Sequence, residues 1–138
     1  MRIVAENLTF TYNKKSKFAV DALKDVSLTI EEGSFFGIIG HTGSGKSTFI
    51  QHLNGIIPVT GGKLTVGDIN LADTKQIVRK RYKELRSKVG MVFQYPEYQL
   101  FAETVFLDVA FGYKNFYPNS TDEEIKQAVY KALEMLGL

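Results

Sequence analysis

The sequence contains no cysteine, and only three of its 138 residues are proline. The absence of cysteine excludes disulfide bonds, thiolate metal sites and cysteine nucleophiles. No apolar run approaches the roughly 20 residues that cross a bilayer, and the N-terminus lacks the basic-then-apolar order of a secretory signal. The net charge of +2 is too balanced to favour nucleic acid as a partner. Composition therefore predicts one globular domain, which would serve a membrane only from outside the lipid.

Apolar patterns along the chain predict alternating strands and helices. Residues 2–12 and 22–30 alternate as antiparallel strands do, and a shorter strand is expected at 64–66. The runs FFGII at 35–39 and GMVF at 90–93 lack alternation, which is typical of strands buried on both faces of a parallel sheet. Helical spacing indicates helices over 46–55, 75–89 and 105–112, and a capping box at Thr121 starts a last helix. This order predicts an α/β fold.

Residues 40–47, GHTGSGKS, fit the phosphate-loop pattern G-x-x-x-x-G-K-[ST] at every fixed position. Gly43 and Gly45 allow backbone N–H groups to point inward at a polyphosphate, and the helix that follows adds its positive end. Lys46 supplies a mobile charge for the terminal phosphates, and the Ser47 hydroxyl is a hard oxygen ligand for Mg²⁺. His41 occupies a free position, so its side chain receives no chemical role.

Other residues are open to two interpretations on chemistry alone. Tyr12 ends the first strand, where it is either a half-buried aromatic or a ring that stacks on a base. Gln94 follows an apolar run, where its amide is either solvated or close to a ligand. The basic segment 75–88 fits the solvated face of an amphipathic helix better than a nucleic-acid footprint. The bulky loop at 95–101 is either tucked inward or a docking surface for a partner.

Three segments together resemble the nucleotide-binding subunit of an ATP-binding-cassette transporter. They are the strand that ends in Tyr12, GHTGSGKST at 40–48 and GMVFQ at 90–94. The resemblance implies that Tyr12 stacks on adenine and that Gln94 contacts Mg²⁺ together with Ser47. It implies ATP and Mg²⁺ as cofactors, with these nucleotide-binding positions: Tyr12, Gly40, His41, Thr42, Gly43, Ser44, Gly45, Lys46, Ser47, Thr48 and Gln94.

A narrower likeness is carried by QHLNGI at 51–56, FQYPEYQLFAETV at 93–105 and DVAFG at 108–112. These segments look like the second ATPase of energy-coupling-factor importers, which take up vitamins or metal ions. The resemblance implies ATP hydrolysis coupled to import. It implies a sister ATPase, a transmembrane coupling subunit and a substrate-binding membrane subunit as partners, with no nucleic acid. The protein would be peripheral, on the cytoplasmic face of the cell membrane.

The family's fold implies a P-loop NTPase core with an antiparallel β side-sheet and the start of a helical subdomain. All of residues 1–138 would form the N-terminal part of one nucleotide-binding domain, with a β region at 1–34, the P-loop core at 35–94 and the helical start at 95–138. The family's LSGGQ signature, Walker B carboxylates and switch histidine do not occur in this sequence. We therefore expect a fragment that binds MgATP but contains no catalytic residue.

Three alternatives share the phosphate loop. A soluble cassette ATPase acting on DNA or ribosomes is disfavoured, because no coiled-coil insertion follows Gln94. A P-loop kinase is disfavoured because about 34 residues of β-rich sequence precede the phosphate strand. The third alternative is a module that only binds nucleotide.

Overall fold

The computed structural model describes residues 1–72 and 79–138. The chain forms two compact units, Met1–Met91 and Val92–Leu138. Among the described residues, no helix is both long enough and apolar enough to cross a membrane.

The first unit is built on a four-stranded antiparallel sheet. Its strands are β1 (Ile3–Tyr12), β2 (Val20–Ile30), β3 (Lys63–Val66) and β4 (Ile69–Asn70), in the spatial order β2-β1-β3-β4. β1 therefore pairs with both β2 and β3, and the register sets Tyr12 opposite Val20 at the end of the β1–β2 hairpin. The antiparallel strands expected in the N-terminal region, and the short strand near 64–66, are confirmed.

Two helices complete the first unit, α1 (Lys46–Leu53) and α2 (Arg79–Lys88). One face of the sheet alternates apolar residues inward, and these pack with apolar residues from both helices. Leu8 and Leu64 from neighbouring strands are fully buried, as is Leu85 of α2, and Phe49 of α1 is 4% exposed. Burial of such side chains typically contributes about 1.5–3 kcal/mol each. This shared core fixes α1 against the sheet.

Helix α1 ends at a glycine, as the sequence predicts. Gly55 has φ +70°, and its N–H donates to the carbonyl of His52 while the N–H of Ile56 donates to that of Gln51. This pair of bonds is the Schellman motif, which satisfies the last carbonyls of a helix. The ring of Tyr82 on α2 lies where a Cβ on Gly55 would stand. The backbone at Gly55 thus excludes side chains for two reasons, its dihedral angle and its neighbour.

Helix α2 fits the interpretation of a solvated basic helix. Leu85 points inward, whereas Arg81, Lys83, Arg86 and Lys88 are exposed. Arg86 donates to the carbonyls of Asn54 and Gly55, which reinforces the end of α1. The predicted helix over 75–89 is confirmed from residue 79 onward, and its part at 75–78 lies outside the described residues.

The two strands predicted from unbroken apolar runs are not formed. Residues 35–39 and 90–93 have no strand structure, and Phe35 and Ile39 are almost wholly exposed. A strand gains its hydrogen bonds only from a neighbouring strand. In the described part of the chain neither run has such a neighbour, nor a layer that covers both faces. The prediction of a parallel pair buried on both sides is therefore wrong for this structure.

The second unit is a pair of helices preceded by a short 3-10 turn at Pro96–Gln99. α3 spans Val105–Phe116 and α4 spans Asp122–Glu134, and they pack through Ala110, Ile125 and Val129. The capping box is confirmed, because Thr121 accepts from the N–H of Glu124 while the Glu124 carboxylate accepts from that of Thr121. The helix expected at 105–112 is also confirmed, and it extends four residues further.

We predict that Gly55→Ala lowers the free energy of unfolding more than Gly33→Ala does. Gly33 also has a positive φ, of +74°, but nothing lies within 4 Å of a Cβ placed there. The left-handed conformation should cost about 1–2 kcal/mol at either site. Overlap with Tyr82 should add about 1–3 kcal/mol at Gly55 alone. Urea unfolding followed by circular dichroism measures the difference, and equal losses at the two glycines would contradict the close contact with Tyr82.

Candidate functional site

The phosphate loop leads directly into α1, and Gly45 lies at the junction between them. Gly45 is the N-cap of α1 with φ +88°, and a Cβ there would overlap the carbonyl oxygen of Ala22 on β2. No side chain caps α1. Because the first N–H groups of a helix lack partners within it, this end is a site for an anion. The glycine requirement and the helix start agree with the pattern in the sequence.

Lys46 folds back over the loop that precedes it. Its Nζ donates to the carbonyl oxygens of Gly40 at 2.7 Å and His41 at 2.8 Å, and lies 3.4 Å from the Ser44 hydroxyl. The ammonium group thus draws both ends of the loop together. Its side chain is only partly buried, so the charge is accessible to a ligand.

A cavity of about 280 Å³ lies between the phosphate loop and the end of the β1–β2 hairpin. Tyr12 and the second half of the loop are far apart in the sequence, and the fold brings them together at this cavity. Of the described residues that line it, Lys46 alone carries a formal charge, so this part of the cavity favours an anion. The lining residues are Tyr12, Val20, Ala22, Gly43, Ser44, Gly45, Lys46, Ser47 and Thr48.

Val20 and Ala22 line the cavity although sequence reasoning did not single them out. Both lie on β2, and Val20 is the register partner of Tyr12. The predicted hairpin could have indicated them, because the cross-strand partner of a residue that lines a site lies next to it. Small or branched apolar residues here leave room beside the ring of Tyr12.

The side chain of Tyr12 contacts Thr48 and Phe10 and is otherwise partly exposed to solvent. Its hydroxyl lies 3.2 Å from Oγ1 of Thr48, and its ring stands perpendicular to Phe10 at a centroid distance of 4.8 Å. Phe10 meets His52 in the same way at 4.9 Å. Tyr12 keeps 39% of its surface exposed. A partly exposed aromatic ring on the wall of a cavity that also contains an ammonium group is suited to stacking on a planar ligand.

His52 is fully buried on α1, where its surroundings disfavour the charged form of the ring. Burial lowers the pKa of His52, more strongly than the hydrogen bond to Thr48 raises it. Its Nδ1 lies 2.7 Å from the carbonyl oxygen of Thr48, which requires Nδ1 to carry the proton. In the neutral form of the ring, Nε2 is an acceptor without a proton, and it has no partner among the described residues. Sequence reasoning gave His52 no role, because a lone histidine on a helix carries no signal.

The first half of the predicted loop does not line this cavity. Gly40 borders an adjoining, mainly apolar cavity of about 390 Å³ together with the exposed run at 36–39, and this cavity shares Ser44, Gly45 and Lys46 with the first one. His41 and Thr42 are exposed, and Nδ1 of His41 lies 2.7 Å from the carbonyl of Thr42. Gly40 and His41 nevertheless reach the site through their carbonyl bonds to Lys46.

Gln94 belongs to the second unit, where it is exposed and its Nε2 lies 3.4 Å from the hydroxyl of Tyr95. Its role toward Mg²⁺ remains a prediction. In the described ranges, no three histidine, aspartate or glutamate side chains converge to hold a metal by themselves.

Comparison with known proteins places these features in one family. The ABC transporter family profile matches residues 23–138. The energy-coupling factor transporter ATP-binding protein EcfA2 of Caldanaerobacter subterraneus subsp. tengcongensis is 49% identical over all 138 residues, which are 46% of its length. The protein of the same name from Lactococcus lactis subsp. cremoris is 50% identical over 133 residues, 96% of this chain and 45% of that protein. The chain thus spans about half the length of these curated relatives.

Solved structures agree with the sequence matches. The chain superposes on cbiO1 from Clostridium perfringens, part of the ABC transporter complex cbiONQ, with a TM-score of 0.78 and 32% identity, covering 99% of this chain and 50% of that one. The ATP-binding cassette MJ0796, bound to ADP and Pi as a dimer, gives a TM-score of 0.82 at 29% identity, with 99% and 57% covered. These matches confirm the predicted fold class, an α/β P-loop fold with an antiparallel side-sheet and the start of a helical subdomain. The chain therefore belongs to the ABC transporter family.

Proposed function

We propose that this chain binds ATP with Mg²⁺ in the cavity between the phosphate loop and Tyr12. One observation carries the proposal: an uncapped helix start, one ammonium group and one partly exposed aromatic ring border the same 280 Å³ space. The residues present fit a nucleotide, because the donors suit a polyphosphate and the ring suits a base. In this arrangement the α1 end and Lys46 hold phosphate, and Tyr12 holds adenine.

The remaining loop residues divide into direct and supporting roles. The backbone of Gly43, Ser44 and Gly45 follows the phosphates, while Thr48 holds the hydroxyl of Tyr12. Ser47 is exposed at the first turn of α1, where its hydroxyl would be a Mg²⁺ ligand. The metal would neutralise phosphate charge when bound. Gln94 is proposed as a second protein ligand to Mg²⁺, on the family resemblance and on the chemistry of its amide oxygen.

We further propose that the whole protein hydrolyses ATP to drive uptake of a vitamin or metal ion as part of an energy-coupling-factor importer. Support comes from the energy-coupling factor transporter ATP-binding proteins that are 49% and 50% identical to this chain. Its partners would be a sister ATPase, a transmembrane coupling subunit and a substrate-binding membrane subunit, at the cytoplasmic face of the membrane. The exposed side chains of Tyr98, Leu100 and Phe101 give the second unit an apolar surface suited to such contacts.

Replacement of Lys46 by alanine should weaken MgATP binding at least about tenfold, which corresponds to 1.4 kcal/mol. The reason is loss of a charge-assisted contact to phosphate from the lysine that lines the cavity. Isothermal titration calorimetry measures the affinity, with circular dichroism to confirm that the variant is folded. Lys63→Ala is the matched control, because it removes a lysine paired with Glu6 on the sheet. Unchanged affinity in Lys46→Ala would show that phosphate binds elsewhere.

Replacement of Tyr12 should separate the ring from the hydroxyl. Tyr12→Ala should weaken ATP and ADP alike by about tenfold, since stacking on a base is worth about 1–3 kcal/mol. Tyr12→Phe keeps the ring and loses only the bond to Thr48, so its affinity should stay within about fivefold of the wild type. Titrations of both nucleotides test this. If alanine and phenylalanine cause equal losses, the hydroxyl rather than the ring contacts the ligand.

A further inference from the structure

Three aromatic rings form a line beside the nucleotide cavity. Phe10 stands in the middle, perpendicular to Tyr12 on one side and tilted by 77° to His52 on the other, with centroid distances of 4.8 and 4.9 Å. Near-perpendicular pairs are the favoured arrangement of aromatic rings, because the positive edge of one meets the negative face of the other. The line leads from the interior, where His52 is fully buried, to the cavity, where Tyr12 is open.

Thr48 joins the two ends of this line. Its Oγ1 lies 3.2 Å from the hydroxyl of Tyr12, and its carbonyl oxygen accepts from Nδ1 of His52 at 2.7 Å. Tyr12, Phe10, His52 and Thr48 therefore form a closed circuit of contacts, which we call the aromatic circuit. Thr48 directly follows Ser47, so the circuit connects the first strand to the phosphate loop itself.

Packing alone does not account for a histidine in this circuit. The Nε2 atom is buried without a partner among the described residues, and an unpaired buried acceptor destabilises the fold. A leucine at this buried position of α1 would fill the space without that cost. What histidine adds is a planar ring for Phe10 together with a donor for Thr48, and both contacts lead to Tyr12.

The position of Tyr12 explains why its ring needs such support. Tyr12 is the last residue of β1, and Asn13 after it turns the chain with φ +53°. A side chain at a strand end with 39% of its surface exposed has few neighbours to choose its rotamer. A ring that is fixed before the ligand arrives loses less conformational freedom on binding, which raises affinity.

We propose that Phe10 and His52 are positioning residues that fix the ring of Tyr12 for contact with the base of the nucleotide. Neither residue lines the cavity, so each acts through Tyr12 and Thr48 rather than on the ligand. The inference rests on the proposed function, in which Tyr12 stacks on adenine. It adds residues that neither the phosphate-loop pattern nor the strand-end aromatic indicates.

The test compares two ligands, MgATP and magnesium tripolyphosphate, by calorimetry on the whole 138-residue chain. Tripolyphosphate has the phosphates but no base, so it does not use Tyr12. Phe10→Leu and His52→Leu should weaken ATP binding about three- to tenfold and leave tripolyphosphate within about twofold, in line with the strength of an aromatic pair. His52→Phe restores a ring against Phe10 and should recover most of the ATP affinity.

Phe49→Leu is the matched control, because it makes the same truncation on α1 within the main core. It should lower stability in urea unfolding without changing the ratio of the two affinities. Phe10 is only partly buried, so Phe10→Leu provides a folded variant even if substitutions at the buried His52 unfold the chain.

Two results would overturn the proposal while leaving the proposed function intact. In the first, Tyr12→Ala lowers the ratio of ATP affinity to tripolyphosphate affinity, but both leucine variants leave this ratio unchanged. In the second, the leucine variants weaken both ligands equally, which a merely structural role would cause. If Tyr12→Ala itself leaves the ratio unchanged, then Tyr12 does not contact the base. In that case the stacking role in the proposed function fails, and the positioning role fails with it.

Discussion

The close approach of Gly45 to β2 determines where the phosphate loop sits. The backbone at Gly45 leaves no room for a Cβ beside the carbonyl of Ala22, so the start of α1 lies directly against the strand. The β1–β2 register then places Tyr12 opposite Val20, two residues before Ala22. A one-residue slip of this register would turn Tyr12 to the other face of the sheet. The cavity exists because these two constraints, one between loop and strand and one between strands, are met together.

Local signals explain how much of this structure could be predicted from the sequence. The alternation of residues 2–12 and 22–30, the glycine pattern before Lys46, the closing Gly55 and the capping box at Thr121 each act within a few neighbouring residues. Such signals predicted both long strands, α1, α3 and the start of α4. The contact of Phe10 with His52 beside the cavity follows from packing between distant segments, and no local pattern encodes it.

The two wrong strand predictions have one physical cause. Apolar runs such as FFGII predict burial, but burial on both faces of a sheet requires neighbouring strands and covering helices. Over the described residues, the segment at 36–39 instead borders an open apolar cavity, with β2 on the other side. The apolar residues of a segment indicate that it favours a buried environment. Whether it forms a strand depends on which other segments are present to pair with it.

The contacts of Lys46 within its own loop also affect how an anion would be received. Its ammonium group has carbonyl oxygens of Gly40 and His41 at 2.7 and 2.8 Å, in positions that water would otherwise occupy. Stripping water from an ammonium ion is among the larger costs of forming a partly buried ion pair. Here the protein has already replaced part of that hydration shell. An arriving anion therefore meets an ammonium group that has already lost part of its water, and less water has to be removed when the ion pair forms.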